Sequence, residues 1–133
     1  MMERILDHGI VKALVRPADA GRQKAFVREL ALRMGEYRPR VVLDCSRLET
    51  IDRAAAYLLL CCLEEALKRN GDMRLVGLSL AAQTGLKEAG ADRLFLVFNS
   101  ESEAVESFDR SIAEFASLGG KRGEKSPPPE KAA

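Results

Sequence analysis

Short apolar runs of strand length alternate along the chain with longer stretches of helical periodicity. Residues 5–6 and 10–15, apolar except for Lys12, flank a polar turn, a pattern that predicts a β-hairpin. Three later runs predict further strands, at residues 41–45, 73–78 and 95–98. Because a helical segment precedes each of these strands, the strands should be joined by helical crossovers and lie largely parallel. The predicted order is therefore ββαβαβαβα, an α/β fold with about five strands and about four helices.

Residues with capping chemistry stand where the first two predicted helices begin and end. Asp19 can cap the first helix, and Gly35 can end it. Asp52 can cap the second helix, which stops at the Asn-Gly pair of residues 70–71. The first half of this second helix, residues 54–63, is apolar nearly all round. We therefore expect it to be the central and most buried helix of the domain.

Similar signals bound the last two predicted helices. Ser79 can cap a third helix, over residues 80–89. A capping-box pattern at residues 100–103 opens the fourth. Its apolar positions have helical spacing and form one face: Val105, Phe108, Ile112 and Phe115.

Composition supports one globular domain followed by a tail. The chain has 133 residues, of which 47% are hydrophobic and 31% are charged, typical of a globular protein. Its longest uncharged apolar run has ten residues, whereas a membrane-spanning helix needs about 20. Residues 119–133 are rich in Gly, Lys and Pro and contain no large apolar side chain. We predict a domain over residues 1–118, a disordered tail over residues 119–133, and no direct membrane insertion.

Charge and aromatic content argue against nucleic-acid binding. The chain has 21 basic and 20 acidic side chains, a net charge of +1, so no strongly basic surface is expected. Aromatic residues make up 5% of the chain, too few for a base-stacking platform. Three cysteines cannot all pair in disulfides, which favours a reducing, cytoplasmic location.

The sequence offers little for metal or covalent chemistry. Cys61 and Cys62 are adjacent on a predicted helix, so they point about 100° apart and cannot converge on one metal. The only histidine is His8, which excludes a two-histidine zinc site. An enzyme with Cys45 as nucleophile and His8 as base would lack a third orienting group. We therefore predict no cofactor, no metal site and no enzymatic activity.

Two stretches carry a family resemblance. Residues 40–52 read R-V-V-L-D-C-S-R-L-E-T-I-D, and a predicted helix and the strand at residues 74–79 follow them. Residues 89–100 read A-G-A-D-R-L-F-L-V-F-N-S. This order resembles the STAS family of anti-sigma factor antagonists, whose pattern is roughly V-V-L-D-L-S-G-V-x-x-I-D-S-S-G and later G-L-D-R-L-F-x-V. The resemblance covers about residues 9–115.

The resemblance implies a small non-enzymatic domain that binds an anti-sigma factor with a serine-kinase fold. In the family, a serine in the D-S-S-G motif is phosphorylated to switch binding, and Ala54 occupies its position here. Alanine has no hydroxyl, so no phosphorylation is expected there. The nearest remaining hydroxyls are those of Ser46 and Thr50. The resemblance places the partner-binding surface at five residues: Asp19, Asp52, Arg53, Ala54 and Ala55.

Two of these residues have alternative interpretations. Asp19 resembles the Asp of the family's G-x-L-D loop, although a plain helix cap explains it equally well. Arg53 places a cation in the first turn of a helix, where the dipole disfavours it by about 0.3 to 1 kcal/mol. Either Asp52, Glu49 or solvent compensates for this charge, or Arg53 contacts an acidic patch or a nucleotide phosphate of a partner.

A second function is compatible with the same fold. Some STAS-like domains serve as accessory subunits of bacterial lipid-transport ABC systems. Such a structural subunit would not need a phosphorylatable serine. The two functions predict different partners, a transporter ATPase or a kinase-fold protein.

Overall fold

A computed structural model describes residues 9–35 and 37–108, which form a parallel sheet with helices packed on it. The predicted strand at residues 5–6, His8 and the tail at residues 119–133 lie outside the described residues. The described elements, in chain order, are β1 (Ile10–Leu14), α1 (Gln23–Met34), β2 (Arg40–Asp44), α2 (Arg53–Lys68), β3 (Asp72–Val76), α3 (Leu80–Glu88), β4 (Leu96–Phe98) and α4, described over residues 101–108.

The four described strands follow one another across the sheet in chain order, β1-β2-β3-β4. Each is parallel to the next, with Ile10 opposite Arg40 and Leu75 opposite Val97. The predicted parallel sheet is confirmed for these strands. Right-handed crossovers between strands in this order put α1, α2 and α3 on the same face of the sheet.

Alternating strand residues pack on the two faces of the sheet. On one face, Val11, Val41 and Leu43 pack with α1, α2 and α3 in the larger core cluster. On the other face, Ile10, Val42 and Val76 pack with Ala104 and Phe108 of α4. Both faces of β2 are therefore covered by helices.

Several predicted helix ends are confirmed. Gly35 ends α1 with a φ of 72°, a conformation that glycine adopts without a steric cost. Asn70 follows α2 with a φ of 62°. The Ser79 hydroxyl accepts a hydrogen bond from the Ala82 N–H at 3.0 Å and caps α3. At the start of α4, the Ser100 hydroxyl accepts one from the Glu103 N–H at 3.2 Å.

The prediction that Asp19 caps α1 is wrong. Asp19 lies inside a 3₁₀-helix, Pro17–Arg22, and its carboxylate accepts a hydrogen bond from the Arg16 N–H at 2.8 Å. Pro17 occupies the first helical position, where its ring presets the backbone and starts this turn early. α1 then follows directly, and no side chain caps it.

The prediction that the second helix is the most buried one is confirmed among α1, α2 and α3: six α2 residues are buried, against two each in α1 and α3, although part of its apolar surface faces solvent. Leu58 and Leu59 are fully buried, but Ala54 is exposed and Tyr57 is 58% exposed. The helix lies between the sheet and solvent, so only the side facing the sheet and its neighbouring helices is covered. The described residues contain no helix with both the length and the hydropathy needed to cross a membrane.

The amino terminus of α2 as a candidate interaction site

The loop from Cys45 to Asp52 leads into the predicted contact residues at the start of α2, and the core holds it in place. Ile51 is 3% exposed and anchors the loop beside α3. A side chain at Gly85 would place its Cβ 2.2 Å from the Ile51 carbonyl oxygen, so only glycine permits this approach. The Ser79 hydroxyl donates a hydrogen bond to the Glu49 carbonyl at 3.1 Å. These contacts fix the direction from which the chain enters α2.

Asp52 caps α2, as its position in the sequence predicts. Its Oδ1 accepts a hydrogen bond from the Ala55 N–H at 2.9 Å and satisfies one of the free amides of the first turn. The first turn then places Arg53 and Ala54 in solvent and Ala55 in the core. Four of the five predicted contact residues thus lie together, but Ala55 offers little surface.

The 3₁₀-helix Pro17–Arg22 lies across an open groove from this terminus. The groove has a volume of about 320 Å³, and its walls come from both segments: Pro17, Ala20, Arg47, Leu48, Glu49, Thr50, Asp52 and Ala55. The structure therefore brings the Asp19 segment beside the start of α2. Asp19 itself is 8% exposed, and its carboxylate is taken up by the Arg16 N–H. Its neighbours Pro17 and Ala20 form the groove wall instead.

The acidic and the basic side chains around the groove differ in what they face. The carboxylates of Asp19 and Asp52 accept backbone hydrogen bonds and are turned toward the protein. The Arg47 and Arg53 side chains are exposed. Within the part of the chain that the structure describes, neither Asp52 nor Glu49 forms an ion pair with Arg53. The Arg53 charge is solvated rather than neutralised internally.

Two hydroxyls near the site differ in their surroundings. Thr50 is exposed and lines the groove. Ser46 is exposed on the other side of the loop, where its N–H donates to Asp44 Oδ1 at 2.9 Å. This bond gives a partner to the carboxylate of Asp44, which is half-buried at the end of β2. Gly77 lies against the same turn with a φ of 78°.

The cysteines are placed for packing. Cys45 and Cys62 are fully buried, and burial raises the pKa of each thiol to about 12. Cys61 is half-buried beside α1, where Gln23 Nε2 donates to its sulfur at 3.3 Å. Among residues 9–35 and 37–108, no three His, Cys, Asp or Glu side chains are grouped to hold a metal.

Sequence reasoning missed the groove itself. Arg47 and Pro17 line it, yet neither is among the predicted site residues. Arg47 carries a weak signal, because it directly follows Ser46 in the loop between a predicted buried strand and a predicted helix cap. Pro17 carries none, because its position opposite this loop depends on how the 3₁₀-helix packs against α2.

Three solved structures are similar to this fold at low sequence identity. A Thermotoga maritima protein described as an anti-sigma factor antagonist is 21% identical with a TM-score of 0.63, over 80% of this chain and 92% of that one. A STAS domain protein from Planctomyces limnophilus is 13% identical with a TM-score of 0.65, over 81% and 97%. A serine-to-glutamate variant of Moorella thermoacetica RsbS is 19% identical with a TM-score of 0.67, over 85% and 97%.

These likenesses concern the fold, and the family is shown by a separate comparison. No curated protein matches the chain significantly. The model of the STAS domain family matches residues 2–104, well over half of the chain. The matched region contains the whole sheet, the groove and the start of α2. The chain therefore belongs to the STAS domain family.

Proposed function

We propose that this chain is a regulatory protein-interaction domain that binds a kinase-fold anti-sigma factor through the amino terminus of α2. The observation that carries the proposal is the exposed Ala54 methyl at a capped helix end, beside an open groove. The structural neighbours support it, because they include a protein described as an anti-sigma factor antagonist. The proposed contact surface consists of residues 52–55 and the groove wall formed by Pro17 and Ala20.

The proposal includes a missing switch. A phosphate at this helix end would meet free N–H groups and the positive end of the helix dipole, so the domain itself could accommodate one. A partner surface packed against it could not, because a charge of about −1.5 to −2 would be desolvated and unpaired. With Ala54 at this position, the side chain that replaces the serine is small and apolar and cannot acquire a phosphate charge. We therefore propose that the domain is held in its binding-competent state.

The same surface gives no support to an enzymatic role. The buried Cys45 thiol has a raised pKa, so it is a poor nucleophile at neutral pH. A binding role needs no reactive group, and the exposed first turn of α2 has none. We propose that the domain acts by binding alone, as a cytoplasmic partner of a signalling protein.

Ala54→Asp tests the contact surface. The aspartate is compatible with the first turn of a helix, so the fold should survive. It places an unpaired carboxylate in the proposed contact, which should weaken binding by about 2 kcal/mol, roughly 30-fold in Kd. Calorimetry with the partner captured from the native cell measures this change. Glu64→Lys is the matched control, because Glu64 is exposed farther along α2 and should have little effect.

Unchanged binding of a well-folded Ala54→Asp variant would remove the α2 terminus as the contact surface. A captured transporter ATPase in place of a kinase-fold protein would instead favour an accessory subunit of a lipid-transport ABC system. The identity of the partner and the effect of the variant therefore test different parts of the proposal.

Intact mass tests the missing switch. Incubation of the full chain with its captured partner and ATP should leave the mass unchanged, because Ala54 has no hydroxyl. A stoichiometric phosphate on Thr50, which lines the groove, would show that the switch has moved along the loop. A phosphate on Ser46 would show that the switch has moved to the other side of the loop. Either result would contradict the proposal that the domain is always binding-competent.

A further inference from the structure

The sheet and the helix layer above it end together at one side of the molecule. β4 is the last strand, and no described residue forms a strand on its outer side. α3 borders a groove of about 300 Å³ whose lining also includes Val97 of β4. Five α3 residues line this groove, and four of them lie at helical spacing on one helix face: Leu80, Gln83, Thr84 and Lys87. We call β4 and this face of α3 the β4 edge.

The β4 edge is unusually apolar for an open sheet border. Leu80 is 81% exposed, and Leu94, Leu96 and Val97 are 54%, 41% and 37% exposed. β4 itself contains only Leu, Val and Phe. Native edge strands are usually guarded by Lys, Pro or a bulge, because an unguarded edge pairs readily with another strand. At the opposite border, β1 carries Lys12, which forms an ion pair with Glu101.

The remaining parts of this chain are poor candidates to cover the β4 edge. Residues 119–133 contain no large apolar side chain and three prolines, which cannot donate backbone hydrogen bonds. Residues 1–8 lead into β1, which is at the other border of the sheet. Residues 109–118 follow α4, which packs on the face of the sheet opposite α3, in a cluster with Ile10, Val42 and Phe98.

A second copy of the chain fits this surface because β4 can pair with itself. A two-fold axis perpendicular to the sheet would set β4 antiparallel to its copy, so that the same backbone groups donate and accept on both sides. The sheet would continue across the axis, and each α3 would lie beside the other. Gln83 and Thr84, midway along the α3 face, each carry both a donor and an acceptor. Because both side chains are uncharged, their approach to the other copy brings no like charges together.

The charges at the ends of the groove are also complementary in this arrangement. α3 runs opposite to the strands, so its amino end lies near the carboxyl end of β4, whereas Asp92 precedes β4. Antiparallel pairing brings Asp92 of one copy toward the amino end of α3 in the other. The first turn of α3 has no acidic residue of its own, and a helix amino end favours an anion. We propose that the β4 edge is the interface of a symmetric dimer of this chain.

Sedimentation of the full chain over micromolar to millimolar concentrations tests the proposal. The parent chain should associate reversibly to a dimer. Val97→Lys places a charge on the pairing edge, and we expect it to raise the dimer Kd by about tenfold or more. Leu32→Lys is the matched control, because Leu32 is 78% exposed on α1 and should not change the Kd. Leu80→Lys provides a second variant on the α3 face if Val97→Lys lowers the thermal stability.

A cross-linking experiment tests the geometry. In antiparallel pairing the two copies of Val97 lie close to the axis, so Val97→Cys should form a disulfide-linked dimer under mild oxidation. The parent chain, with its own cysteines, and Leu32→Cys should not. Asp92→Lys should weaken the dimer, because it places a cation at the amino end of the partner's α3.

Three outcomes would overturn the proposal. The first is a parent chain that stays monomeric throughout this concentration range, whether or not its β4 edge binds a different protein. The second is a dimer that Val97→Lys and Leu80→Lys leave intact. The third is a monomeric parent that dimerises once residues 1–8 are removed, which would show that these residues cover the edge. None of these results bears on the α2 surface, so the proposed function would stand or fall separately.

Discussion

The two faces of the sheet are packed by different chemistry. Beneath α1, α2 and α3, the fully buried side chains are apolar, among them Leu43, Leu59 and Leu75. Beneath α4, the apolar side chains surround Arg74, which is 2% exposed and whose guanidinium lies 4.4 Å from the centre of the Phe108 ring. One face is an ordinary hydrophobic core, whereas the other is built around a buried charge.

Directional contacts satisfy that charge. Arg74 Nε donates to the Ser107 hydroxyl at 2.8 Å, and Nη1 donates to Asp72 Oδ2 at 2.6 Å. The Ser107 hydroxyl in turn donates to the Ala104 carbonyl at 2.6 Å. Hydrophobic burial is non-directional, but the bond from Arg74 to Ser107 forms only when α4 lies in one position along β3. The difference indicates that burial stabilises the first face and that geometry specifies how α4 docks on the second.

The largest expected effect is the difference in reactivity of the Cys45 thiol, directly after β2, between the native and the denatured chain. Burial, and secondarily the charge of Asp44, raises the pKa of Cys45 from about 9 to about 12. At neutral pH its thiolate fraction is therefore about a thousandfold lower than that of an ordinary cysteine. Iodoacetamide labelling followed by peptide mass spectrometry should be slower by this factor or more in the native chain than in denaturant. Equally fast labelling would contradict a closed core and would favour the cysteine-nucleophile alternative.

Leu59→Ala should cause the largest loss of stability on the apolar face. Leu59 is fully buried, so its truncation removes transfer free energy and leaves a cavity. We expect the free energy of unfolding to fall by about 3 kcal/mol, measured by urea denaturation. Leu67→Ala, at a position 54% exposed on the same helix, should change it by less than about 0.5 kcal/mol. A similar loss for both variants would show that Leu67 is buried to the same extent as Leu59, contrary to the structure.

Arg74→Met should weaken the polar face by a smaller amount and more locally. It removes charge-assisted hydrogen bonds, but the Asp72 side chain is 47% exposed and can be hydrated instead. We expect a loss of about 2 kcal/mol, with hydrogen exchange accelerating most at residues 101–108. Arg93→Met, at an exposed position, serves as the control. Uniform acceleration across the whole chain would show that Arg74 stabilises the fold as a unit and does not position α4.

Removal of residues 119–133 should have the smallest effect. The segment has no large apolar side chain to bury on either face. We expect the free energy of unfolding to change by less than about 0.5 kcal/mol, and the Tm to change little. A Tm several degrees lower would show that the tail docks on the domain, because such a shift corresponds to about 1 kcal/mol or more.

Much of the architecture could be predicted because local signals agree with it. The β2 sequence is short, apolar and rich in valine, and it lies between two covered faces as expected. Asp52 and Ser79 cap the helices that follow them, because capping depends on bonds to amides three residues away. The same locality explains the error at Asp19. A helix cap and a residue inside a 3₁₀-helix both bond to nearby amides. The turn that begins at Pro17 places Asp19 inside the 3₁₀-helix.

The surfaces could not be predicted in the same way. The apolar run at the start of α2 indicates burial, but whether Ala54 and Tyr57 meet the sheet or solvent depends on which neighbours cover the helix. Nothing local marks Arg74 as buried, because its partner Ser107 is 33 residues away. The exposure of Val97 depends on β4 being the last strand in the sheet.

The amino-acid sequence alone therefore determined the fold class, most helix and strand positions, the cap on α2 and the absence of a hydroxyl at residue 54. Each of these depends on the identity of one residue or on a short periodic pattern. Packing between distant segments determined the groove between the 3₁₀-helix and the β2–α2 loop, the buried Arg74 contacts and the open β4 edge. Exposure and long-range contacts are properties of pairs of segments, and they are established only when the whole chain has folded.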